Sequence, residues 1–275
     1  MLETILVPLD GTRRARAALP VAATLRELFR ATLHVVHVRP DAPPLREALA
    51  ELGLSPEELR GAVFSPAVGD PTDEILRLAE SHLKSVVVMC PCTGGDPASP
   101  RLGSVARALL ERVSRPVLLV PGPRGPGPWH PARILLSHDA SPGPGDTIRL
   151  AAALAQRAAA QLLVLYVEPP VTAAAAPGRL APPRYVDAPH HDWPVWALEF
   201  SQRLYALGHG QGAIDIQPLI APGRPEDTIA SYTACLRPDL VVLGWEGRLA
   251  SGSGHILQTL VRDGAAPVLA VREAG

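Results

Sequence analysis

The strongest constraint on the fold is an internal repeat, because the second part of the chain restates the first at nearly fixed offsets. Asp10 recurs as Asp139 after 129 residues, and the offset is 154 at Gly69 and 151 at Gly103. The rise from 129 to 154 means that the second copy gains 25 residues, and the fall from 154 to 151 means that it loses three. The chain is therefore a tandem duplication, and we expect each copy to form a domain of its own.

Each copy alternates short apolar runs of strand length with helical segments. The first copy predicts strands over 4–8, 33–38, 62–68, 86–89 and 116–120, and helices over 13–29, 45–52, 71–82 and from 103 onward. The second copy predicts strands over 133–137, 161–167, 241–243 and 267–271, and a helix near 193–207. Such alternation predicts a parallel sheet with helices on both faces. The predicted fold class is α/β, with two tandem doubly wound parallel-sheet domains of five strands and about four helices each.

Between the copies, residues 122–132 are so rich in proline and glycine that they predict a linker. This divides the chain into a first α/β domain at 1–121 and a second at 133–275. The extra length of the second copy is most visible at 171–193, which is rich in alanine, proline and histidine. We interpret that insertion as a surface excursion.

Composition excludes several classes of partner. The chain carries 26 basic and 27 acidic residues, so it lacks the positive charge that binding to nucleic acid requires. No apolar run approaches the length of a membrane span, and the first residues enter a predicted strand without room for a targeting peptide. Three cysteines, an odd and low count, suit a reducing compartment. We therefore expect a cytoplasmic protein that binds neither nucleic acid nor membranes.

In each copy the fourth predicted strand is followed by a loop that delivers the chain to the start of a helix. Such junctions hold phosphate in α/β folds, because unpaired N–H groups and the positive end of the helix dipole converge there. Ligands of doubly wound sheets bind beyond the carboxyl ends of the strands, where the strand order reverses. The residues expected at that edge are Asp10, Val38 and the loop at 90–104 in the first copy, and Asp139, Val167 and the loop at 244–255 in the second.

Three motifs carry a resemblance to a known family. The first strand ends in Val-x-x-Asp-Gly-Thr at 7–12, Gly69-Asp70-Pro71 precedes the third helix, and the late loops follow Gly-x2-Gly-x9-Gly-Ser/Thr. In these motifs the sequence resembles the universal stress protein family, over nearly the whole chain and in both copies. The resemblance implies an adenine-nucleotide-binding domain, with the early aspartate near the base or ribose and the late loop around the phosphates. It also implies that the last strands of the two copies pair, which makes an intramolecular pseudo-dimer.

Both late loops depart from the family pattern, and they do so differently. The first copy keeps the spacing and Gly103-Ser104, but Cys90 and Thr93 replace the two leading glycines. Glycine is wanted there because the backbone must approach phosphate closely or adopt a positive φ. The second copy keeps its leading glycines but shortens the loop and replaces the hydroxyl residue with His255. The first copy is the better candidate, because its spacing and its hydroxyl survive.

The resemblance implies a stress-response regulator that binds ATP, ADP or AMP, with no metal beyond magnesium carried by the nucleotide. The residues predicted to contact the nucleotide are Asp10, Val38, Thr93, Arg101, Gly103 and Ser104 in the first copy, and Asp139, Val167, Gly244, Gly247, Gly254 and His255 in the second. Whether two such chains associate into a homodimer is left open.

Several of these residues also have a plain structural explanation. Asp10 suits a turn carboxylate beside a helix start, and Gly103-Ser104 suits an ordinary helix entry. Arg101 suits a solvated loop charge. His255 suits either a pH-dependent phosphate donor or a polar residue of a first helical turn.

Two other functions remain open. One is a nucleotide-independent regulatory or interaction protein with eroded pockets and a binding surface on the insertion at 171–193. The other is a slow ATPase, although no Gly-x4-Gly-Lys loop and no pattern for a nucleophile or general base occurs. Cys90-Pro91-Cys92 lacks the spacing of zinc or thioredoxin-like sites, so no metal site is predicted.

Overall fold

The computed structural model describes residues 2–41, 44–55, 57, 59–91, 102–122, 128–137, 145–168, 214–250 and 252–273. The predicted insertion at 171–193 and the predicted helix near 193–207 lie outside the described residues. The described chain has two halves, one before the linker and one after it.

The first half follows the predicted alternation. Its elements are β1 (Thr4–Pro8), α1 (Ala18–Phe29), β2 (Thr32–Arg39), α2 (Leu45–Leu52), β3 (Ala62–Val68), α3 (Pro71–Ser81), β4 (Ser85–Met89), α4 (Ser104–Arg112) and β5 (Val117–Leu119). The first helix begins later than residue 13, because a short 3-10 turn at Ala15–Ala17 precedes α1. The strands and helices predicted for this half are otherwise confirmed to within two residues at their ends.

The second half repeats this order, with residues 138–144, 169–213 and 251 outside the described residues. Its elements are β6 (Arg133–Ser137), α5 (Asp146–Ala158), β7 (Gln161–Glu168), β8 (Ile216–Pro222), α6 (Pro225–Leu236), β9 (Leu240–Trp245), α7 (Ser253–Asp263) and β10 (Val268–Arg272). The structure thus describes five strands and three helices here.

The ten described strands join one sheet in the order β3-β2-β1-β4-β5-β10-β9-β6-β7-β8. Pairing is parallel within each half, and the halves meet where β5 and β10 pair antiparallel, with Leu118 opposite Leu269. The expected pairing of the two last strands within one chain is therefore confirmed. In each half the strand order reverses between the first and fourth strands, so the crevices expected to bind ligand lie beyond β1 and β4 and beyond β6 and β9.

Helices cover both faces of the sheet, as predicted. One face packs α1 and α5 against alternate strand residues, and the other packs α3, α4, α6 and α7 against the intervening ones. The two halves also touch across the first face, where the Arg157 guanidinium lies 5.0 Å from the centre of the Phe29 ring. Aliphatic residues dominate both cores, as the low aromatic content requires.

The described part of the linker is anchored by Trp129. Its buried indole donates from Nε1 to the Asp239 carbonyl at 3.2 Å, while its own carbonyl accepts from Thr24 Oγ1 at 2.6 Å. The linker therefore reaches β6 along the protein's surface. Its one large buried side chain, Trp129, packs in the core between α1 and the second half.

The two outermost strands carry prolines in their interiors, Pro66 in β3 and Pro218 in β8. Proline cannot donate to a ladder, so it discourages another strand from pairing with an exposed sheet edge. Among the described helices none is both long and apolar enough to cross a bilayer.

Candidate functional site

The turn after β1 holds the first predicted contact, Asp10. Its Oδ1 accepts hydrogen bonds from Thr12 N at 2.9 Å and from Thr12 Oγ1 at 2.6 Å. Thr12 Oγ1 in turn accepts from Ala15 N at 3.2 Å, at the start of the 3-10 turn. These bonds give Asp10 the structural role of a turn carboxylate. Because both use Oδ1 and the residue is exposed, the geometry leaves Oδ2 accessible from solvent.

The carboxyl end of α2 packs beside this turn. Gly11 has a φ of +83°, and a Cβ on it would lie 3.4 Å from the Glu51 carbonyl oxygen. The Glu51 carboxylate accepts from Arg39 Nη1 and lies 3.6 Å from His37 Nε2. Glycine at position 11 therefore suits both the left-handed backbone and the neighbouring helix end.

Val38 lies where β2 extends beyond the end of β1. The carbonyl of Val36 accepts from Leu9 N, and the carbonyl of Arg39 accepts from Gly69 N on the β3 side. Since alternate residues of a parallel strand turn their backbone groups to alternate neighbours, the N–H and carbonyl of Val38 face the β1 side. The last β1–β2 pair is Pro8 with Val36, so these two groups project past the end of β1.

His37 is a residue that the sequence patterns did not single out. It is 4% exposed, and its Nδ1 lies 2.9 Å from the Leu9 carbonyl, so Nδ1 carries the proton. The same carbonyl would otherwise be the next acceptor in the ladder for Val38 N, and in the described part of the chain those two groups form no hydrogen bond. A histidine inside the apolar run of β2 was the signal that could have marked this position.

The start of α4 follows β4, the strand beside β1, and we define the candidate first-half site as Asp10, Val38, Gly103 and Ser104. Helix α4 begins at the exposed Ser104, and Gly103 precedes it without any side-chain cap. Gly103 N donates to the Pro91 carbonyl at 2.8 Å, which joins the end of the loop to its beginning. Thr93 and Arg101, the other predicted contacts of this loop, lie outside the described residues.

The glycines of the second-half loop are in tight packing with the rest of the chain. A Cβ on Gly244 would lie 2.8 Å from the Glu273 carboxyl, and one on Gly247 (φ +84°) would overlap the Arg272 guanidinium. A Cβ on Gly254 would overlap the Arg248 carbonyl oxygen and would lie 2.7 Å from Leu249 backbone atoms. We define Val167 and these three glycines as the second-half site.

The remaining predicted contacts of the second half are only partly described. Val167 is half-buried on β7, two residues beyond the last β6–β7 pair at Ser137 and Leu165, which matches the placement of Val38. His255 is exposed in the first turn of α7, and its N donates to the Gly252 carbonyl at 3.1 Å. Asp139 lies outside the described residues.

His255 has a small electrostatic effect on Glu226 of the neighbouring helix α6. The pKa of Glu226 is lowered chiefly by a hydrogen bond from its own backbone N–H, then by Arg224, and least by the charge of His255. Arg224 Nη2 donates to Glu226 Oε1 at 2.7 Å. These three side chains make a mixed-charge cluster near the junction of α6 and α7.

The Gly-x-Pro motifs have a structural explanation in both halves. Gly69 and Gly223 have φ values of +139° and +143°, and a Cβ on Gly223 would lie 2.5 Å from Thr228 Oγ1. Asp70 then caps α3 by accepting from Thr72 N at 2.8 Å, whereas Arg224 provides no side-chain cap for α6. Glycine here serves the turn from strand to helix.

No group of three or more histidine, cysteine, aspartate or glutamate side chains is arranged to hold a metal ion among the described residues. Cys90 is buried and Cys235 is exposed. Cys92 lies outside the described residues. The absence of a metal site therefore remains a prediction from sequence.

The fold is that of a tandem α/β protein. In each half, a loop leads to the start of a helix beyond the carboxyl edge of a doubly wound sheet. The sequence pattern of the Universal stress protein family matches residues 1–65 and 131–272. Since these segments make up well over half of the chain, it belongs to the universal stress protein family. The match in the first half ends before the loop at 90–104, whereas in the second half it spans the loop at 244–255.

Solved structures that cover nearly the whole chain share this fold. A universal stress protein from Archaeoglobus fulgidus DSM 4304 matches with a TM-score of 0.68 at 15% identity, over 98% of both chains. A functionally unknown protein from Pseudomonas aeruginosa PAO1 matches with a TM-score of 0.63 at 19% identity, over 99% of this chain and 93% of its own. A universal stress protein solved in complex with cAMP covers 52% of this chain and 98% of its own, at 19% identity and a TM-score of 0.36. Comparison with curated protein sequences gave no match.

Proposed function

We propose that this member of the stress-protein family is a regulator that binds an adenine nucleotide, and that the first-half site is where it binds. The observation that carries the proposal is the pair of backbone groups at Val38. An adenine edge presents a ring-nitrogen acceptor beside an amino donor, and one residue's N–H and carbonyl complement that pair. Val38 offers both groups past the end of β1, beside Asp10.

The start of α4 supplies the chemistry for phosphate. Its first N–H groups have no side-chain cap, and the positive end of the helix dipole favours an anion there. Ser104 adds an exposed hydroxyl at the same place. A base at Val38 and phosphates at Ser104 would use the two sides of the first-half site, with Asp10 Oδ2 available to a ribose or base donor. We assign no catalytic residue to this site.

A second candidate function is nucleotide-independent regulation through eroded pockets. It is favoured by the family match, which ends at residue 65 and so omits the loop where Cys90 and Thr93 replace glycines. In that case neither half binds nucleotide, and the protein acts through a surface.

Titration calorimetry with ATP, ADP, AMP and cAMP, each with magnesium, tests the proposal. Thermal unfolding provides the second readout, because a ligand at a hundred times its Kd stabilises the folded state by about 2.7 kcal/mol. We expect heat and stabilisation from at least one nucleotide. Absence of both, with every nucleotide, contradicts the proposal and leaves nucleotide-independent regulation.

Two variants locate the site. Asp10→Asn keeps an oxygen that can accept from Thr12 while removing the charge, and Ser104→Ala removes the hydroxyl at α4. Each should weaken binding by about tenfold or more, since a lost hydrogen bond to a charged group is worth about 1.5–3 kcal/mol. Ser231→Ala, at an exposed position on α6, is the matched control and should bind as wild type does. Unchanged affinity in both test variants would move the site away from the first half.

A further inference from the structure

We propose that Glu273 is a specificity-determining residue that closes the second-half site to phosphate, so that the chain binds one nucleotide rather than two. The inference rests on the proposed function, because it concerns which of the two copies accepts the nucleotide. It starts from a conflict: Gly244 and Gly247 match the family pattern, yet the space beside both glycines is filled by the end of β10.

Glu273 is held in place by the fold. Its backbone N donates to the Trp245 carbonyl at 3.0 Å, which continues the β9–β10 ladder beyond Arg272. Its Oε1 accepts from Thr147 Oγ1 at 2.8 Å, and Thr147 is only 1% exposed. Its carboxyl carbon lies 2.8 Å from where a Cβ of Gly244 would be.

The position of this carboxylate matters for an anionic ligand. Thr147 belongs to the first turn of α5, so Glu273 places a negative charge at the positive end of that helix. A phosphate brought to Gly244 would meet the carboxylate at close range, where like charges repel. Glu273 thus takes the place of the anion beside the glycine.

Arg272 does not neutralise the Glu273 carboxylate or attract a phosphate, because its guanidinium binds carbonyl groups of the first half. It lies over Gly247, and its Nη1 donates to the Glu111 carbonyl at 3.2 Å and lies 3.4 Å from the Leu110 carbonyl. These carbonyls end α4, where a cation is favoured by the helix dipole. The buried Trp245 adds a bond from Nε1 to the Leu110 carbonyl at 2.8 Å.

The described residues of the first half place no carboxylate or guanidinium at the corresponding positions. At the offset of 151 residues, Arg272 and Glu273 correspond to Pro121 and Gly122. Neither can supply a carboxylate or a guanidinium, and a Cβ on Gly122 would meet no atom within 4 Å. The difference between the halves therefore lies at the ends of β5 and β10 as well as in the loops.

The test measures binding stoichiometry with ATP and magnesium by calorimetry. Glu273→Gln keeps an acceptor for Thr147 and removes the charge, and Glu273→Ala removes the side chain. We expect about one site per chain in wild type and about two in either variant. Glu27→Gln, an exposed change on α1, is the control and should leave stoichiometry at the wild-type value. Far-ultraviolet circular dichroism and thermal unfolding verify that each variant is folded.

The reciprocal change transfers the carboxylate to the first half. Gly122→Glu should weaken nucleotide binding there by about tenfold or more, as a like charge near phosphate requires. Gly122→Gln, its neutral counterpart, should bind within about threefold of wild type.

The outcomes separate this inference from the proposed function. A Glu273→Ala chain that binds no more nucleotide than wild type overturns the inference, as does a wild-type chain with two sites. A wild-type chain with no site and a Glu273→Ala chain with one would support the inference while overturning the assignment of nucleotide to the first half.

Discussion

Gly254→Ala distinguishes a glycine required by packing from one required by a ligand. Gly254 is the second residue of α7 and is buried, so both explanations apply to it before any measurement. Local propensity alone predicts that alanine stabilises a helix by about 1 kcal/mol relative to glycine. The structure predicts the opposite sign.

The magnitude depends on the atoms that the new methyl group would meet. It would overlap the Arg248 carbonyl oxygen and lie 2.7 Å from two Leu249 backbone atoms, none of which can rotate away. Leu249 is 4% exposed, and its carbonyl accepts from Gln258 Nε2 at 2.6 Å, so the loop is held from both sides. Overpacking of this kind costs about 3 kcal/mol, and subtracting the helix gain leaves a net loss of about 2 kcal/mol.

The assay is urea and thermal unfolding of the nucleotide-free protein. A loss of about 2 kcal/mol corresponds to a fall in Tm of about 4–8 °C for a chain of this size. Gly122→Ala is the matched control, since its methyl group would contact nothing within 4 Å and its stability should equal or slightly exceed that of wild type. A Gly254→Ala chain as stable as wild type would refute the packing argument and return Gly254 to the ligand explanation.

Three further predictions concern stability. Asp70→Ala removes the cap of α3 and should cost about 1 kcal/mol in urea unfolding; an unchanged midpoint would show that solvent replaces the cap. Trp245→Phe leaves the Leu110 carbonyl without its indole donor across the two halves and should cost about 1–3 kcal/mol; a cost below about 0.5 kcal/mol would show that other donors suffice. Burial, and then the charge of His82, lower the pKa of His34 below 6.5. The unfolded chain then binds the proton more readily, so this contribution to stability is complete above pH 6.5 and is lost as the pH falls below it. His34→Gln should therefore flatten the dependence of Tm on pH between about 7 and 5, and an equally steep profile in that variant would contradict the assignment.

Much of the fold could be predicted because strands and helices here follow local patterns. The helix α2 and the strand β3 have the predicted limits, 45–52 and 62–68, since proline and glycine bound them on the chain itself. The predicted start of the first helix was wrong, because Ala15–Ala17 forms a 3-10 turn. Sequence propensity does not distinguish that turn from the first turn of an α-helix.

The candidate site was less predictable, because its decisive contacts join distant parts of the chain. His37 is hydrogen-bonded to the Leu9 carbonyl, which lies 28 residues earlier in the chain. Only the pairing of β1 with β2 brings the two residues together. The sequence marked Val38 through a family pattern, whereas the structure supplies the reason that its backbone groups project past β1.

The duplication, the alternation of strands and helices, and the glycines at the strand ends could all be derived from the sequence, since they depend on local pattern and on comparison of the chain with itself. Tertiary packing was needed to show which groups fill the space beside those glycines. Pairing of β9 with β10 brings Glu273 to Gly244 and Arg272 to Gly247, although more than 20 residues separate them in the chain. A glycine is equally suitable beside a phosphate and beside a side chain of its own protein, so only the packed neighbours distinguish a site that can receive a ligand from one that the chain has already filled.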